Sequence, residues 1–267
     1  MSNSSKSKET FSRTVIFVFV ICLICAALVS IAASSLKPLQ KANKLLDQHT
    51  KILEAAGLSD VAAKNGVDAT FEKFVMPKFI DLASGSFTTG DHAIYDERSD
   101  SRDVAKSSAV KDRGVGLRRR ANKAVIYLVK NDQGHIDSAV LPIVGMGLWD
   151  IMYGYIGLEA NLNTVKRVVY YELKETPGLG AEVQNPKWKA LWKGKEMFDK
   201  NHNIAIEIVK GGMANCKTNK IYCVDALSGA TLTSRGVNRT IHFWLGDEGY
   251  GPFIAKFGGK LNNGELN

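Results

Sequence analysis

The sequence predicts an α+β protein, in which an N-terminal transmembrane helix precedes a single domain built from an antiparallel sheet with packed helices. Two observations support this fold class. Residues 14–36 contain no charged side chain, whereas the later apolar segments are short and strand-like. These short segments do not alternate regularly with helices, as a doubly wound parallel sheet requires, so an antiparallel sheet is favoured.

The uncharged segment is long enough to cross a bilayer. At a rise of about 1.5 Å per residue, a helix over residues 14–36 is about 34 Å long. A secretory signal peptide is the alternative, with Ser30-Ile31-Ala32 as its cleavage site. Because the apolar part of a signal peptide is usually only about 7–15 residues long, we expect an uncleaved anchor. A short tail, residues 1–13, precedes it.

The charges beside the anchor do not decide its orientation. Cytoplasmic flanks usually carry the excess of lysine and arginine. Three such residues lie on each side of the anchor, namely Lys6, Lys8 and Arg13 before it and Lys37, Lys41 and Lys44 after it. The charge count is therefore tied.

The chain beyond the anchor is divided into a helical neck, residues 37–58, and a domain, residues 59–267. Apolar residues recur at helical spacing in the neck. In the domain, Asn131-Asp132-Gln133-Gly134 lies between two apolar segments and predicts a β-hairpin. Strands are predicted at residues 125–129, 136–144, 165–173 and 204–209.

The sequence lacks the motifs of several function classes. The chain contains neither the Gly-x-Gly-x-x-Gly fingerprint of dinucleotide binding nor a phosphate loop of the Walker type, so oxidation of a dinucleotide by this chain itself is not expected. Its five histidines show no zinc spacing and accompany no nucleophile motif. We therefore predict no metal site and no hydrolytic residue.

The formal net charge of +8 does not by itself indicate a binding partner. Residues 111–123 are rich in lysine and arginine, and could meet nucleic acid, acidic lipid or the acidic face of a partner. A solvated loop explains the same pattern. Since a membrane anchor argues against a nucleic-acid role, no nucleic acid is expected as a partner.

A run of hydroxyl residues, 225–234, is the most informative local feature. It contains Ser228, Gly229, Ala230, Thr231 and Thr233, and a helix is predicted behind it from about Ser234 to Trp244. The helix would direct free N–H groups and the positive end of its dipole toward an anion. An ordinary helix N-terminus is the alternative, because serine and threonine are common N-caps.

Five sequence blocks occur in a specific order along the chain. They are Gly147-Leu148-Trp149 with Met152-Tyr153-Gly154; Glu175-Thr176-Pro177-Gly178-Leu179-Gly180; Asn185-Pro186 with Trp188; the hydroxyl run; and Phe243-Trp244 with Gly249-Tyr250-Gly251-Pro252-Phe253. In this order the chain resembles the C subunit of sodium-translocating NADH:quinone reductases. Ala181 and Ala226 stand where many relatives are expected to have glycine.

The resemblance implies a covalently attached FMN. In such proteins a flavin transferase takes FMN from FAD and joins it by a phosphoester to a threonine, which corresponds here to Thr231. The further residues expected to bind the cofactor are Trp149, Glu175, Thr176, Gly178, Leu179, Gly180, Ser228, Gly229, Ala230 and Thr233. The flavin would carry the redox chemistry, so no side chain is expected to be catalytic.

The resemblance also implies a place in the cell and a role. We expect a single-pass subunit of the bacterial inner membrane, with the flavin domain on the periplasmic side, that relays electrons between other subunits of the complex. The G subunit of the complex that exchanges electrons between ferredoxin and NAD is a related alternative. A membrane-anchored binding module without redox chemistry is an alternative of another class.

The four cysteines leave two questions open. Cys22 and Cys25 lie one helical turn apart in the anchor, where thiols usually pack as small apolar groups rather than bind an iron-sulfur cluster. Cys216 and Cys223 precede the hydroxyl run. They can form a disulfide if the domain is extracytoplasmic, or remain two free thiols.

Overall fold

The computed structural model describes residues 11–92, 95–111 and 113–261. The chain divides into two compact units, residues 1–48 and residues 49–267. Helix α1, Phe11–Ala56, runs through the predicted anchor and the predicted neck. Most of the predicted tail lies outside the described residues, and Ser12 and Arg13 are helical. The boundaries between tail, anchor, neck and domain stay predictions.

In the first unit, α1 has the length and composition of a membrane-spanning helix. Its most apolar 18-residue window has a mean hydropathy of 3.2, and none of that window is buried. Within the described residues it is the single helix with these properties.

The second unit contains six further helices among the described residues. They are α2 (Ser59–Asn65), α3 (Val67–Phe74), α4 (Glu97–Asp100), α5 (Pro186–Ala190), α6 (Thr231–Leu245) and α7 (Gly251–Phe257). Its strands are β1 (Val75–Asp81), β2 (Phe87–Thr88), β3 (Ser107–Ala109), β4 (Arg119–Ala121), β5 (Lys123–Lys130), β6 (Ile136–Met146), β7 (Ile151–Glu159), β8 (Val165–Glu172), β9 (Glu207–Val209) and β10 (Cys223–Asp225). Four short 3-10 helices occur at Arg113–Val115, Gly180–Gln184, Met213–Asn215 and Lys220–Tyr222.

The main sheet is antiparallel throughout, with the strand order β2-β1-β5-β6-β7-β8. The predicted hairpin is present between β5 and β6. At its turn the Asn131 side chain accepts hydrogen bonds from the N–H groups of Gln133 and His135, both at 3.0 Å, and Gly134 adopts a positive φ of 85°. The antiparallel sheet and its helices confirm the predicted α+β class.

Two sequence predictions about strands and helices differ from the structure. The strand predicted at residues 204–209 is regular only from Glu207, and it pairs in parallel with β10. The helix predicted from Ser234 begins at Thr231, three residues earlier. In that turn the Ser234 N–H donates to the Ala230 carbonyl at 3.0 Å, so the hydroxyl run itself forms the first helical turn.

Both faces of the main sheet are buried. On β5, Ile126 and Leu128 belong to the core that packs against α6 and α7, whereas Tyr127 and Val129 belong to the core beneath α2, α3 and the end of α1. Side chains alternate across a strand, so a strand buried on both faces must be apolar at nearly every position. This explains why the central strands are continuous apolar runs in the sequence.

Helix α6 lies very close to β6 because glycines occupy the contact points. A Cβ atom added at Gly145 would overlap the Thr240 side chain, and one at Gly236 would overlap the Met146 carbonyl and approach the Gly147 Cα to 3.2 Å. The start of α6 is therefore held directly against the end of β6.

The disulfide is present between Cys216 and Cys223, with their Cα atoms 6.1 Å apart. Cys223 is buried at the start of β10. The bond closes a short loop next to the segment that leads into α6.

We expect Gly145→Ala to lower the free energy of unfolding by about 1–3 kcal/mol, because the new methyl group overpacks the contact between β6 and α6. Chemical denaturation of the detergent-solubilised protein, followed by circular dichroism, measures the change. Adding Thr240→Ala removes the overlapping hydroxyl and methyl group, and should recover part of the loss. Unchanged stability in the single variant would show that the helix is not in tight contact.

Candidate functional site

A buried carboxylate joins three separate segments of the domain. Glu175, which follows β8, is only 6% exposed. Its Oε1 atom accepts hydrogen bonds from the backbone N–H groups of Leu148 (2.9 Å) and Trp149 (3.1 Å), and its Oε2 atom accepts one from the Thr233 hydroxyl (2.6 Å). The loop after β6, the turn after β8 and the first turn of α6 therefore meet at this side chain.

Two glycines leave the space that this carboxylate occupies. A Cβ atom at Gly180 would overlap the Glu175 carboxylate and lie 2.6 Å from the Thr233 hydroxyl oxygen. One at Gly147 would overlap the same carboxylate and lie 3.0 Å from the Met152 sulfur. Any larger residue at either position would displace Glu175.

The turn after β8 is closed by its own backbone. The N–H groups of Leu179 and Ala181 both donate to the Thr176 carbonyl at 3.1 Å, and Gly178 has a positive φ of 77° that favours glycine. The Thr176 hydroxyl lies 3.3 Å from the Trp149 indole nitrogen, which donates to it. In this structure Thr176 therefore orients a tryptophan.

An ion pair links the same two loops at the surface. The Lys174 ammonium donates to the Asp150 carboxylate at 2.5 Å. This contact holds the pKa of Asp150 below its usual value.

Four apolar side chains on the segments that Glu175 joins are exposed. We call the group formed by Leu148, Trp149, Leu179 and Leu232 the apolar rim; these side chains are 40%, 66%, 44% and 54% exposed. They come from the three segments that Glu175 joins. Clustered apolar groups exposed next to a rigid polar centre are typical of a surface that binds a ligand or a partner.

The first turn of α6 has no side-chain cap. Ala230 occupies the N-cap position, and no side chain there accepts a hydrogen bond from the helix. The Ser234 hydroxyl accepts from the Leu227 N–H and donates to the Ala230 carbonyl, both at 3.0 Å. Among the described residues no hydroxyl caps the N-terminus of α6, so the hydroxyl run does not act as a conventional N-cap.

The approach to Thr231 is open. Ser228 and Gly229 are exposed, and the Thr231 side chain is partly exposed. Gly229 has a positive φ of 73°, and a Cβ atom added there would lie 3.1 Å from the Leu179 side chain. The loop before Thr231 thus passes beside the apolar rim.

The structure brings most of the predicted site residues together. Glu175, Gly180, Thr233, Trp149 and Thr176 form one contact network, and Leu179 approaches Gly229. Ser228 makes no hydrogen bond within the part of the chain that is described. The site residues predicted from the sequence did not include Leu148 and Leu232 of the rim, although both lie inside the recognised blocks.

Asp225 ends β10 and lies at the start of the loop that leads to Thr231. Its carbonyl accepts a hydrogen bond from the Trp188 indole nitrogen at 2.9 Å. Its carboxylate oxygen Oδ1 is buried, with no hydrogen-bond partner among the described residues. This backbone contact ties the start of the loop to α5.

Comparison with known proteins agrees with this arrangement. Residues 147–246 match the model of the FMN-binding domain family. The matched segment begins at Gly147, which leaves room for the Glu175 carboxylate, and ends one residue after α6. The matched segment therefore contains the complete contact network around the buried carboxylate.

Full-length relatives and solved structures extend the match to the whole chain. The C subunit of the Na(+)-translocating NADH-quinone reductase of Vibrio alginolyticus is 43% identical over 265 residues, covering 98% of this chain and 100% of the relative. The C subunit of the Haemophilus ducreyi enzyme is 42% identical over 253 residues, covering 94% and 96%. The crystal structure of Shewanella oneidensis NqrC superposes with a TM-score of 0.75 at 39% identity, over 81% of this chain and 98% of that one.

A more distant structure supports the fold alone. The C subunit of the Parabacteroides distasonis enzyme superposes with a TM-score of 0.65 at 23% identity, over 82% of this chain and 96% of that one. The sequence relatives, which match over nearly their entire length, decide the family. The chain belongs to the family of C subunits of Na(+)-translocating NADH-quinone reductases.

Proposed function

We propose that this protein is the membrane-anchored electron-relay subunit of a sodium-translocating NADH:quinone reductase, and that it carries FMN joined by a phosphoester to Thr231. Full-length similarity to the C subunits of such enzymes supports the role in the complex. The attachment at Thr231 is supported by one observation: α6 starts at this residue without a side-chain cap, beside the exposed apolar rim. Other subunits of the complex are its electron-transfer partners.

The phosphate end of the cofactor fits the first turn of α6. Thr231 is the first residue of a 15-residue helix. At this N-terminal end, free backbone N–H groups and the helix dipole stabilise an anion. Gly229 and Ala230 leave space for a nucleotide to approach. Among the described residues no side chain caps this turn, so none of them would compete with a phosphate there.

The ring end of the cofactor fits the apolar rim. An isoalloxazine ring is large, planar and partly apolar, and exposed Trp149, Leu179 and Leu232 offer it contact area. Glu175 holds the three segments of the rim in place, and the backbone of the turn at residues 176–180 approaches the same region. Bound FMN supplies the one-electron chemistry, while the protein orients the ring and sets its electrostatic surroundings.

Attachment requires a second protein. We infer that a flavin transferase delivers FMN from FAD to the Thr231 hydroxyl, so that this chain is the substrate of that enzyme. Covalent attachment and membrane anchoring both keep a carrier at a high effective concentration beside its partners. A tethered flavin also cannot be lost by dissociation.

The anchor and the disulfide both support the proposed location. Helix α1 is long and apolar enough to span a membrane. Disulfides persist in the periplasm and are rare in the cytosol, so the bond between Cys216 and Cys223 favours a periplasmic flavin domain anchored in the bacterial inner membrane. The disulfide thus favours one of the two orientations that the tied charge count leaves open.

We expect Thr231→Ala to abolish covalent flavin without unfolding the domain, because the substitution removes the attacking oxygen at a partly exposed position. Intact mass of protein from cells that contain the transferase measures the FMN addition, and peptide mapping locates it. Thr231→Ser keeps a hydroxyl and serves as the matched control, which should still be labelled.

An unmodified wild-type protein under these conditions would contradict the attachment and favour a non-redox binding module. Retention of FMN in the alanine variant would instead move the attachment to another hydroxyl, such as that of Thr233.

We expect Trp149→Phe to increase the fluorescence of the attached flavin. An indole in contact with the ring quenches its excited state, and phenylalanine keeps an aromatic surface with weaker quenching. Fluorescence per covalently bound FMN measures the effect. Trp192→Phe changes a fully buried indole in the core and serves as the control. Equal fluorescence in the wild type and the Trp149 variant would place the ring elsewhere.

We expect alkylation without reductant to label Cys22 and Cys25 but not Cys216 and Cys223 in protein taken directly from cells. Reduction under unfolding conditions should expose all four thiols to the reagent, and mass spectrometry counts the labels. The paired change Cys216→Ser and Cys223→Ser should lower the free energy of unfolding by about 2–3 kcal/mol, because the short unfolded loop gains entropy. Free thiols at both positions in the cell-derived protein would argue for a cytosolic domain.

A further inference from the structure

A cavity of about 450 Å³ opens beside Thr231, on the side of α6 that faces β9 and β10. Helix α6 contributes Thr231, Arg235 and Arg239 to its wall, and the opposite wall contains Lys210 and Lys217. We call this cavity the basic pocket. Glu207 is its single acidic lining residue among the described part of the chain, so positive side chains outnumber negative ones by four to one.

The positive charges of the basic pocket are not neutralised by the protein. Arg235, Arg239, Lys210 and Lys217 are exposed, and none forms an ion pair with another described residue. Like charges that converge on one cavity repel each other, and an anion in the cavity relieves this repulsion. The charge pattern therefore indicates an anionic ligand.

The helix geometry places these charges on the same side of α6 as Thr231. Residues four positions apart on a helix lie one above the other. Arg235 follows Thr231 by four positions and Arg239 by eight, and all three line the basic pocket. Each guanidinium group offers several N–H donors in a planar fork that matches the oxygens of a phosphate.

The two walls of the basic pocket are fastened to each other. The Asn238 side chain accepts a hydrogen bond from the Ile208 N–H at 2.9 Å, which holds β9 against α6. The disulfide closes the loop that includes Lys217 and leads directly into β10. A pocket with fixed walls loses little further freedom when a ligand binds.

We propose that the basic pocket is the phosphate site for flavin attachment, in which Arg235 and Arg239 bind the phosphates of FAD during transfer and the phosphodiester afterwards. This inference rests on the proposed attachment at Thr231. In the transfer, the Thr231 hydroxyl gives its proton to a base of the transferase, and its oxygen forms a bond to the FMN phosphorus. The phosphoanhydride bond of FAD breaks, and AMP leaves with the bonding electron pair. The two arginines are positioning residues for this step.

The first test compares rates of flavin transfer. The full chain in detergent is mixed with purified transferase and FAD, and covalent flavin fluorescence is followed over time. We expect the double variant Arg235→Gln and Arg239→Gln to lower kcat/KM by about tenfold or more, because charge-assisted hydrogen bonds to phosphate are lost. Glutamine is a good helix former, so α6 should remain intact, as thermal melting would verify.

Two further double variants distinguish an effect of the charge at the basic pocket from an effect of the net charge of the protein. Lys187→Gln with Lys193→Gln removes two exposed positive charges that do not line the basic pocket, and should leave the rate unchanged. Arg235→Lys with Arg239→Lys keeps the charge, and should restore part of the rate. Added salt should slow the wild type more than the glutamine variant. Equal rates for the two glutamine pairs would overturn the proposal.

The second test measures anion binding without the transferase. Inorganic pyrophosphate is titrated into the Thr231→Ala protein and followed by ³¹P NMR, with and without the two arginine substitutions. Binding that disappears with the substitutions supports a phosphate site. A slower transfer rate with unchanged pyrophosphate binding would assign the arginines to contact with the transferase and overturn the proposal. Absence of labelling in the wild type would instead contradict the attachment itself.

Discussion

The buried carboxylate of Glu175 is the interaction on which the candidate site depends. It accepts hydrogen bonds from two backbone N–H groups after β6 and from the hydroxyl of Thr233 in α6. A buried carboxylate must be hydrogen-bonded, because leaving it unpaired would cost several kcal/mol. The three segments are consequently held together by one side chain. The rim of Leu148, Trp149, Leu179 and Leu232 keeps its arrangement while remaining open to solvent.

Close packing prepares the place where this interaction forms. Gly145 and Gly236 let α6 touch β6, and Gly147 and Gly180 leave room for the carboxylate itself. The sheet is buried on both faces, so it provides a rigid support for loops that protrude at one end. A cofactor ring held on such a support would keep a constant position relative to the domain, which favours a reproducible distance to an electron-transfer partner.

The proposed phosphate and ring sites both adjoin the start of α6. Thr231 begins this helix and lines the basic pocket, and Gly229, two residues earlier, lies next to Leu179 of the apolar rim. The disulfide contributes to the basic pocket, since it closes the loop that bears Lys217. The segment between the two cysteines thus becomes part of the environment of the proposed attachment site. Its disulfide also fits the oxidising compartment in which the domain is proposed to lie.

Local patterns in the sequence determined the apolar helix, the hairpin at Asn131-Asp132-Gln133-Gly134 and the α+β class, because each depends on neighbouring residues. The ordered blocks likewise determined the family, since they are matched residue by residue. Only the tertiary structure decided that Thr231 starts α6 without a cap and that Cys216 bonds Cys223. It also decided that Glu175 meets Thr233, which lies 58 residues away. Such contacts depend on how helices and loops pack across the sheet, and a linear pattern of residue types does not encode that packing.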